Sequence, residues 1–280
     1  MTAVPLSGKE LAAEIRQEVR ARVGGLVASG VHPELAVVVA TDDGGSAWYV
    51  RSIARAAEKA GIACDIADLG ADATAEEIKA RIGDLNGDPD VHGIILQTPL
   101  PPGVRASELV GLIDVGKDVD GANPQSLGLL AAGIPAFPPA TAEAVVALLE
   151  HHGVPLEGAE VAVVGRSTVV GKPVAHLLLD RNATVTVCHS RTRDLAAVTS
   201  RADVVVAAVG RAGLLGAAHV RPGAVVVDVG TNPTPDGGLV GDVDADGVAG
   251  VAGALTPVPG GVGPVTTALL LRHTVDAAQR

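Results

Sequence analysis

The chain has 280 residues, of which 48% are hydrophobic and only 1% aromatic, and its formal net charge is −11. This length suits one large domain or two modest ones, with a core built from Val, Ala, Leu and Ile. The negative charge and the absence of a basic run argue against nucleic acid or an anionic membrane surface as a partner.

Cysteine usage and hydropathy narrow the cellular setting. Cys64 and Cys188 are far apart and form neither a disulfide pattern nor a metal pattern, so we expect no metal. No apolar segment reaches the roughly 18 residues of a membrane span, and the first residues lack the apolar region of a signal peptide. We therefore expect no membrane contact and a protein of the reducing cytoplasm.

The first half of the chain alternates between helix and strand patterns. Ser7 is a suitable N-cap for an amphipathic helix in which Leu11, Ile15 and Val19 recur every four residues. Alternation of this kind predicts a parallel α/β sheet that binds ligands at the C-terminal ends of its strands. The predicted elements are a helix at 7–29, a strand at 35–40, a helix at 46–60, a strand at 62–68, a helix at 73–85 and a strand at 91–97.

Three segments lie at or beyond predicted strand ends and are therefore candidate ligand sites. They are the loop after Ala40, the loop at Gln97 and the segment 114–121. The last segment contains Asp118 and Asp120, and an acidic surface turn explains the same composition.

A second candidate region begins where the apolar strand 161–164 runs into Gly165. Gly165 allows a tight turn, and Gly171 lets the following helix pack closely on the strand. Between them, Arg166 and Ser167 offer a cation, a hydroxyl and backbone N–H groups at a helix N-terminus, which suits phosphate. A plain strand–helix turn is the alternative, because the pattern departs from the usual Gly-x-Gly-x-x-Gly.

The next predicted strand, at 183–188, ends where a dinucleotide-binding fold places its ribose-reading residue. That residue is normally Asp or Glu when the cofactor is NAD. Here the strand is followed by His189, Ser190 and Arg191, with no carboxylate. A hydroxyl and an arginine, with Arg166 across the loop, suit a 2′-phosphate, so the residues favour NADP over NAD.

The remaining elements complete a second parallel α/β region after a Pro-rich break at 133–140. They are a helix at 141–152, strands at 203–208 and 224–229 and a last helix at 265–278. The segment 256–264 is rich in Pro and Gly, and it can be read as a linker or as a backbone wall against a flat ligand.

Several motifs in this order and spacing resemble the bacterial methylenetetrahydrofolate dehydrogenase/methenyltetrahydrofolate cyclohydrolase family, over 6–274. They are Ser46-x-x-Tyr49-Val50, Gln97-x-Pro99-Leu100-Pro101, Lys117-Asp118-Val119-Asp120-Gly121, Gly165-Arg166-Ser167, Val170-Gly171-Lys172-Pro173, Cys188-His189-Ser190 and the segment 256–266. Each motif is modest alone, and their combination is specific.

The resemblance implies a two-domain α/β protein whose last helix returns to the first domain. Residues 1–140 plus 264–280 would form a folate-binding catalytic domain, and residues 141–263 a Rossmann-type NADP-binding domain. Folate would lie in the cleft between the domains, and the protein would be a homodimer paired through the NADP domains. The implied reactions are NADP-dependent oxidation of 5,10-methylenetetrahydrofolate and hydrolysis of the methenyl product to 10-formyltetrahydrofolate.

The resemblance also implies roles for individual residues. Tyr49 would stack on the folate, Gln97 would hydrogen-bond near the reacting ring and Asp120 would hold the pterin, and these three are the catalytic candidates. The implied substrate-binding residues are Tyr49, Gln97, Pro99, Leu100, Asp120, Pro257, Gly260 and Gly261. The implied cofactor-binding residues are Gly165, Arg166, Ser167, Val170, Gly171, Ser190, Arg191 and Thr231, of which Arg166 and Ser190 would read the 2′-phosphate.

One departure from the family pattern affects catalysis. The lysine that the family is thought to use in proton chemistry corresponds to Ile53, which shares a helix face with Tyr49. Hydride transfer depends mainly on positioning, whereas hydrolysis must activate water, and a general acid or base contributes roughly 10²–10⁴-fold to such a step. We therefore predict that dehydrogenase activity survives at a reduced level and that cyclohydrolase activity is lost or weak.

Two other functions fit the same residues. The protein can be a folate- and NADP-binding dimer that has lost its chemistry, or an NADP oxidoreductase acting on a related pathway-specific substrate. Retention of Tyr49, Gln97 and Asp120 with an undamaged phosphate loop argues against the first alternative. Nothing in the sequence separates the second alternative from the dehydrogenase.

Overall fold

The computed structural model describes residues 2–280, which form two compact units. One contains residues 13–140 and 267–280 and is called here the three-stranded unit, after its sheet. The other contains residues 2–12 and 141–266 and is called the six-stranded unit. The strands of both sheets run parallel, as the alternation of helix and strand patterns predicts.

The described part of the chain forms eleven strands. They are β1 (Val4–Pro5), β2 (Glu34–Val39), β3 (Ala63–Asp68), β4 (Gly93–Leu96), β5 (Glu160–Val164), β6 (Thr184–Cys188), β7 (Val204–Ala207), β8 (Val225–Asp228), β9 (Asn232–Pro233), β10 (Leu239–Val240) and β11 (Ala254–Leu255).

The same residues form ten α-helices and two short 3₁₀ helices, Val110–Leu112 and Ala217–His219. The α-helices are α1 (Lys9–Ala28), α2 (Gly44–Ala60), α3 (Ala75–Gly87), α4 (Ala106–Leu109), α5 (Pro124–Ala131), α6 (Ala140–His151), α7 (Gly171–Leu179), α8 (Leu195–Thr199), α9 (Ala245–Ala249) and α10 (Val262–Ala278). None of these helices has the length and apolar character needed to cross a bilayer.

The three-stranded unit is built on β2, which lies between β3 and β4. Because successive strand residues point to opposite faces and β2 is buried on both, its residues after Glu34 read as an unbroken apolar run. On one face, Ala36 and Val38 pack with Ile78 and Ile82 of α3 in a single core cluster. This packing fixes the C-terminal end of β2, where α2 begins.

The six-stranded unit has the strand order β1-β11-β8-β7-β5-β6, with β9 and β10 forming a separate antiparallel pair. Its core is almost entirely Val, Ala and Leu, including Ala162 and Val164 of β5 and Val205 and Ala207 of β7. The predicted fold class, two-domain α/β with a Rossmann-type parallel sheet in the second domain, is therefore confirmed.

Several boundaries differ from the sequence prediction for identifiable reasons. Helix α2 begins at Gly44, inside the predicted turn, because the Asp43 carboxylate caps it by accepting the Ser46 N–H at 2.7 Å. Helix α10 begins at Val262, within the Pro- and Gly-rich segment, and Pro264 falls in its first turn, where proline is tolerated.

The compact units and the predicted domains divide the chain differently at two places. The prediction assigns residues 1–12 and 264–266 to the folate-binding domain, whereas the compact units group residues 2–12 and 264–266 with the six-stranded unit. Strand β1 accounts for the first difference, because it pairs with β11 at the edge of the six-stranded sheet. The predicted domains are defined by function, and their boundaries stay a prediction.

Candidate functional site

The six-stranded unit has a topological switch point at β5. This strand pairs with β6 on one side and with β7 on the other, so the loops that leave β5 and β7 diverge at the C-terminal edge of the sheet. Open α/β sheets bind ligands in the crevice between such loops. The predicted phosphate loop at 165–170 lies in this position.

Two glycines shape that loop by having no side chain. Gly165 has φ +136°, and a Cβ there would lie 2.1 Å from the carbonyl oxygen of Ala208, which follows β7. A Cβ on Gly171 would lie 2.2 Å from the carbonyl oxygen of Gly165. Both contacts are far closer than atoms tolerate, so β5, the loop and α7 can approach one another only through glycine. The same approach leaves the backbone accessible to a diphosphate.

The polar side chains of the loop have two environments: Ser167 is hydrogen-bonded within the loop, and Arg166 is exposed to solvent. The Ser167 hydroxyl accepts the N–H groups of Val170 at 3.1 Å and Gly171 at 3.4 Å, so it satisfies donors at the start of α7. Arg166 is exposed, and no hydrogen bond or ion pair holds its guanidinium among the described residues. The residues therefore fit a dinucleotide, with Arg166 available to a phosphate group.

The loop after β6 lies beside this one. Val164 of β5 is in register with Cys188 of β6, so the two loops leave the sheet at the same edge. The Thr192 hydroxyl accepts the His189 N–H at 2.8 Å, and His189 Nδ1 accepts the Arg191 N–H at 3.1 Å. This compact turn leaves the side chains of Ser190 and Arg191 exposed, a hydroxyl and a cation without a carboxylate.

Two buried carboxylates that the sequence analysis missed hold the neighbouring loops. Asp242 accepts the N–H groups of Val209 at 2.6 Å, Gly210 at 3.0 Å and Arg211 at 2.8 Å, and it therefore fixes the loop after β7. Asn232 also donates to it, through its side-chain amide, at 2.9 Å.

Asp228, at the end of β8, plays the same part for the next loop. It accepts the N–H groups of Gly230, Asp242 and Val243, each at 2.9 Å. Burial raises the pKa of Asp228, and these hydrogen bonds oppose the rise. Thr231, predicted to contact the cofactor, is exposed just beyond this anchored turn. In the sequence, only the positions of Asp228 at a strand end and of Asp242 after a glycine could have indicated that these carboxylates hold loops.

The three-stranded unit has its own switch point at β2, which pairs with β3 on one side and β4 on the other. The crevice lies between the loop after β2, which leads into α2, and the loop after β4. The Ser46 hydroxyl of α2 donates to the Thr98 carbonyl oxygen at 3.2 Å and ties these two loops together. Helix α2 thereby presents Tyr49 and Ile53 from fixed positions.

Tyr49 is half-buried, and it hydrogen-bonds with the side chain of Thr267 on α10. Burial and the nearby negative charge of Asp120 raise the pKa of Tyr49 far above its ordinary value, so the phenol stays neutral. Ile53, one turn further along α2, is fully buried, with 0% of its surface exposed. Arg51 and Arg55 are exposed and point away from both.

The segment predicted to be either an acidic turn or a ligand site places its polar residues in different environments. Lys117 donates through Nζ to the carbonyl oxygens of Leu85, Asn86 and Asp88 at 2.6–3.0 Å, and so satisfies the C-terminal end of α3.

Asp118 is fully buried, and all its partners are local. It accepts the N–H groups of Ala122 at 3.0 Å and Asn123 at 2.9 Å and the hydroxyl of Ser126 at 2.8 Å. Its carboxylate is therefore committed to the turn before α5.

Asp120 has a different environment. No hydrogen-bond donor within residues 2–280 contacts its carboxylate. Burial and the charge of Asp118 raise the pKa of Asp120 to about 7, against the opposing effect of His273. A half-neutral carboxyl group beside Tyr49 can donate or accept a hydrogen bond, and it can move a proton near pH 7.

The predicted substrate residues after β4 lie in one exposed turn. Gln97 donates through its side-chain amide to the Thr98 carbonyl oxygen at 2.6 Å, and the Thr98–Pro99 peptide bond is cis. Pro99 is exposed, whereas Leu100 packs partly against the core cluster of the three-stranded unit. Most of Leu100 is thus engaged with the fold.

The remaining predicted substrate residues belong to the six-stranded unit. The loop after β11 is anchored by Thr256, which accepts the Asp228 N–H at 2.7 Å. Gly260 accepts the Gly8 N–H at 2.9 Å, and a Cβ on Gly261 would lie 2.8 Å from the Pro257 carbonyl oxygen. The segment is therefore a tightly packed loop, which rules out the linker interpretation.

Two family models match the chain. Residues 6–120 match the tetrahydrofolate dehydrogenase/cyclohydrolase catalytic domain, and residues 139–280 match the NAD(P)-binding domain of the same family. The second match confirms the predicted class of cofactor.

Individual relatives give the same picture. The bifunctional protein FolD of Nocardia farcinica is 62% identical over 280 residues, covering 100% of this chain and 99% of the relative. The crystal structure of the Campylobacter jejuni methylenetetrahydrofolate dehydrogenase/cyclohydrolase superposes with a TM-score of 0.95 at 40% identity, with 99% of both chains covered. The Trypanosoma brucei enzyme, complexed with NADP and an inhibitor, gives 0.95 at 36% identity, covering 100% of this chain and 98% of that one.

Proposed function

Since the chain belongs to the tetrahydrofolate dehydrogenase/cyclohydrolase family, we propose that it oxidises 5,10-methylenetetrahydrofolate with NADP+ and hydrolyses the methenyl product weakly or not at all. The observation that carries this proposal is the environment of position 53. A glycine-shaped phosphate crevice and a Tyr49–Asp120 pair support the oxidation, whereas the buried Ile53 offers no group for proton transfer to water.

We assign the cofactor to the crevice at the C-terminal edge of β5. When bound, NADP+ accepts a hydride from the methylene carbon of the substrate. Gly165 and Gly171 let the backbone approach the diphosphate, and Val170 and Ser167 shape the start of α7 beneath it.

A preference for NADP follows from three exposed side chains. Arg166, Ser190 and Arg191 lie on loops that leave adjacent strands at the same edge, with no acidic residue among them. A guanidinium binds a phosphate in a bidentate manner, so this set recognises the 2′-phosphate that NAD lacks. Thr231, on the exposed turn held by Asp228, would contact the rest of the cofactor.

We assign the pterin of the folate to side chains of the three-stranded unit. Tyr49 would stack on the pterin, Gln97 would donate its amide near the reacting ring and Asp120 would bind the pterin edge. A carboxyl with a pKa near 7 matches a heterocycle that both donates and accepts hydrogen bonds. The other members of the proposed set are Pro99, Leu100, Pro257, Gly260 and Gly261.

The two half-reactions place different demands on this set. Oxidation needs the methylene carbon held against the cofactor, which rigidly mounted side chains supply. Hydrolysis of the methenyl product also needs a group that activates water. The aliphatic side chain of Ile53 has no such group, and Arg51 and Arg55 lie on the exposed face of α2. A guanidinium is also a poor general base, because it stays protonated.

One assay tests both parts of the proposal. The purified protein is mixed with 5,10-methylenetetrahydrofolate and NADP+, and NADPH and the methenyl product are followed together. We expect NADPH to form and the methenyl product to decay no faster than in buffer. Consumption of the methenyl product by the protein would contradict the proposed loss of hydrolysis, and an absence of NADPH would contradict the proposed oxidation.

The Ile53→Lys variant tests the role of position 53 directly. We expect it to hydrolyse the methenyl product at least about tenfold faster than the parent protein, because it restores a titratable group beside Tyr49. Ile53→Met, which keeps an apolar side chain of similar size, is the matched control. If the lysine variant folds and oxidises substrate without gaining hydrolysis, position 53 is not what limits that step.

We further propose that the protein is a cytoplasmic homodimer paired through the six-stranded unit. The two cysteines, Cys64 and Cys188, are both free thiols, which suits a reducing compartment. Light scattering on the purified protein tests the oligomeric state, and a mass equal to one chain would exclude the dimer.

A further inference from the structure

A groove that the proposed reaction does not use runs between α1 and α2 on the three-stranded unit. Its volume is about 610 Å³. Six side chains give the groove its chemistry, two from α1 and four from α2, and they are Arg16, Arg20, Trp48, Arg51, Arg55 and Lys59.

The charge of the groove is opposite to that of the protein. Five of the six side chains are cationic, and no carboxylate of residues 2–280 lines the groove, although the chain carries a net charge of −11. A concentrated positive patch on an acidic protein attracts anions over several ångströms and raises their local concentration.

The groove cations are also unpaired. Elsewhere on this unit, Arg22, Arg81 and Arg105 each form an ion pair with a carboxylate. No ion pair within residues 2–280 involves any of the five groove cations. Their hydrogen-bonding capacity is therefore available to an incoming anion.

A planar apolar surface completes the groove. Trp48 is the only tryptophan in the chain, and 61% of its surface is exposed. An indole of this kind offers a flat face on which a nucleobase can stack. Trp48 lies in the first part of α2, and Arg51 and Arg55 follow within two turns.

We propose that this groove is a binding site for a nucleoside polyphosphate, with the base on Trp48 and the phosphates on Arg51 and Arg55. Guanidinium groups bind phosphate oxygens in a bidentate manner, and a polyphosphate concentrates several charges in a short length. Arg16 and Arg20 of α1 line the other side of the groove and would flank the same polyphosphate. An extended nucleic acid is disfavoured, because the protein beyond the groove carries excess negative charge.

Fluorescence of the single tryptophan reports on this site without an activity readout. The full-length protein, with NADP+ added only in the molar amount that fills the β5 crevice, is titrated with ATP, with inorganic tripolyphosphate and with adenosine. We expect saturable quenching by ATP with a midpoint below about 1 mM. Adenosine and tripolyphosphate should each bind at least about threefold more weakly, because each lacks one half of the contacts.

A pair of double variants identifies the groove. Arg51→Gln with Arg55→Gln should raise the ATP midpoint at least about tenfold, through loss of two charge-assisted contacts. Lys79→Gln with Arg105→Gln removes the same charge from exposed, paired positions and should leave the midpoint unchanged within about twofold. Quenching that does not saturate, or that both double variants weaken equally, would overturn the site. Equal binding of tripolyphosphate and ATP would overturn the nucleoside part.

Discussion

The three-stranded and six-stranded units share one topology at their binding edges, β2 between β3 and β4 in one and β5 between β6 and β7 in the other. In the six-stranded unit, the crevice is shaped by the missing side chains of Gly165 and Gly171, and its buried carboxylates are saturated by backbone N–H groups. In the three-stranded unit, the crevice carries Tyr49 and Asp120, and the Asp120 carboxylate accepts no hydrogen bond from residues 2–280. In the proposed function, the same strand arrangement would thus bind an anion through backbone shape and a reacting ring through side chains.

A methyl group at position 165 should disrupt anion binding in the crevice of the six-stranded unit, which depends on the shape of the backbone. Gly165→Ala places a Cβ 2.1 Å from the Ala208 carbonyl oxygen at a φ of +136°. We expect NADP+ binding to weaken by at least about 100-fold, about 2.7 kcal/mol, because the loop must move. Isothermal titration with NADP+ measures this. Gly213→Ala, at φ +63° with open space around it, is the control and should bind NADP+ normally.

Replacing a saturated carboxylate should cost stability. Asp242→Asn replaces one of the two accepting oxygens by an NH2 group, which then faces the N–H donors of Val209 and Gly210 or that of Arg211. We expect the free energy of unfolding to fall by about 2–4 kcal/mol, the typical cost of breaking a buried charged network. Denaturant titration gives the value, and a loss below about 0.5 kcal/mol would show that the loop does not depend on Asp242.

Asp120, whose carboxylate accepts no hydrogen bond from residues 2–280, should lower the stability of the folded protein when it is ionised, in contrast to Asp242. The pKa of Asp120 is about 7 in the folded protein, above its ordinary value, so folding takes up a proton between about pH 4 and pH 7. Stability from this group is present at low pH and is lost as the pH rises through 7.

Asp120→Asn should remove that loss, raising the melting temperature at pH 8 relative to the parent while lowering oxidation about 10²-fold. Asp72→Asn, on an exposed carboxylate, is the control and should change neither quantity. A melting-temperature difference between Asp120→Asn and the parent that does not grow from pH 5 to pH 8 would contradict the assignment.

The smallest expected effect concerns the start of α7. Ser167→Ala removes the hydroxyl that accepts the N–H groups of Val170 and Gly171. We expect a loss of about 1 kcal/mol of stability, as for other helix caps. NADP+ affinity should change by no more than about threefold, because the glycines determine the loop. Thermal melts and NADP+ titration separate the two effects.

Local sequence patterns predicted what depends on near neighbours. The apolar run 161–164 with Gly165 and Gly171 predicted both the strand and the tight loop, because the run and the Gly165–Gly171 contact lie within about ten residues of chain, whereas the contact of Gly165 with Ala208 could not be predicted. The sequence analysis placed the start of α2 at Ser46 rather than Gly44, because two consecutive glycines are typical of a turn. In the structure, Asp43 caps the helix by accepting the Ser46 N–H.

Contacts between segments that are far apart in the sequence could not be predicted from local patterns. Asp242 holds a loop more than 30 positions before it, and Lys117 satisfies carbonyl groups at the end of α3. Which member of the 117–120 segment is free for a ligand depends on these partners. The sequence therefore identified the segment as a candidate site, but it did not show which of its residues stabilise the fold and which are available to a ligand.

Strand β1 has a consequence for the order of events during synthesis. Val4 leaves the ribosome well before its partner in the sheet, Ala254, because about 250 residues separate the two positions in the chain. Strand β1 must therefore wait, unpaired, while the intervening residues emerge, and the six-stranded sheet gains this edge only after β11 has been made. Translation elongates the chain by about 5–20 residues per second, so this delay lasts on the order of ten seconds or more.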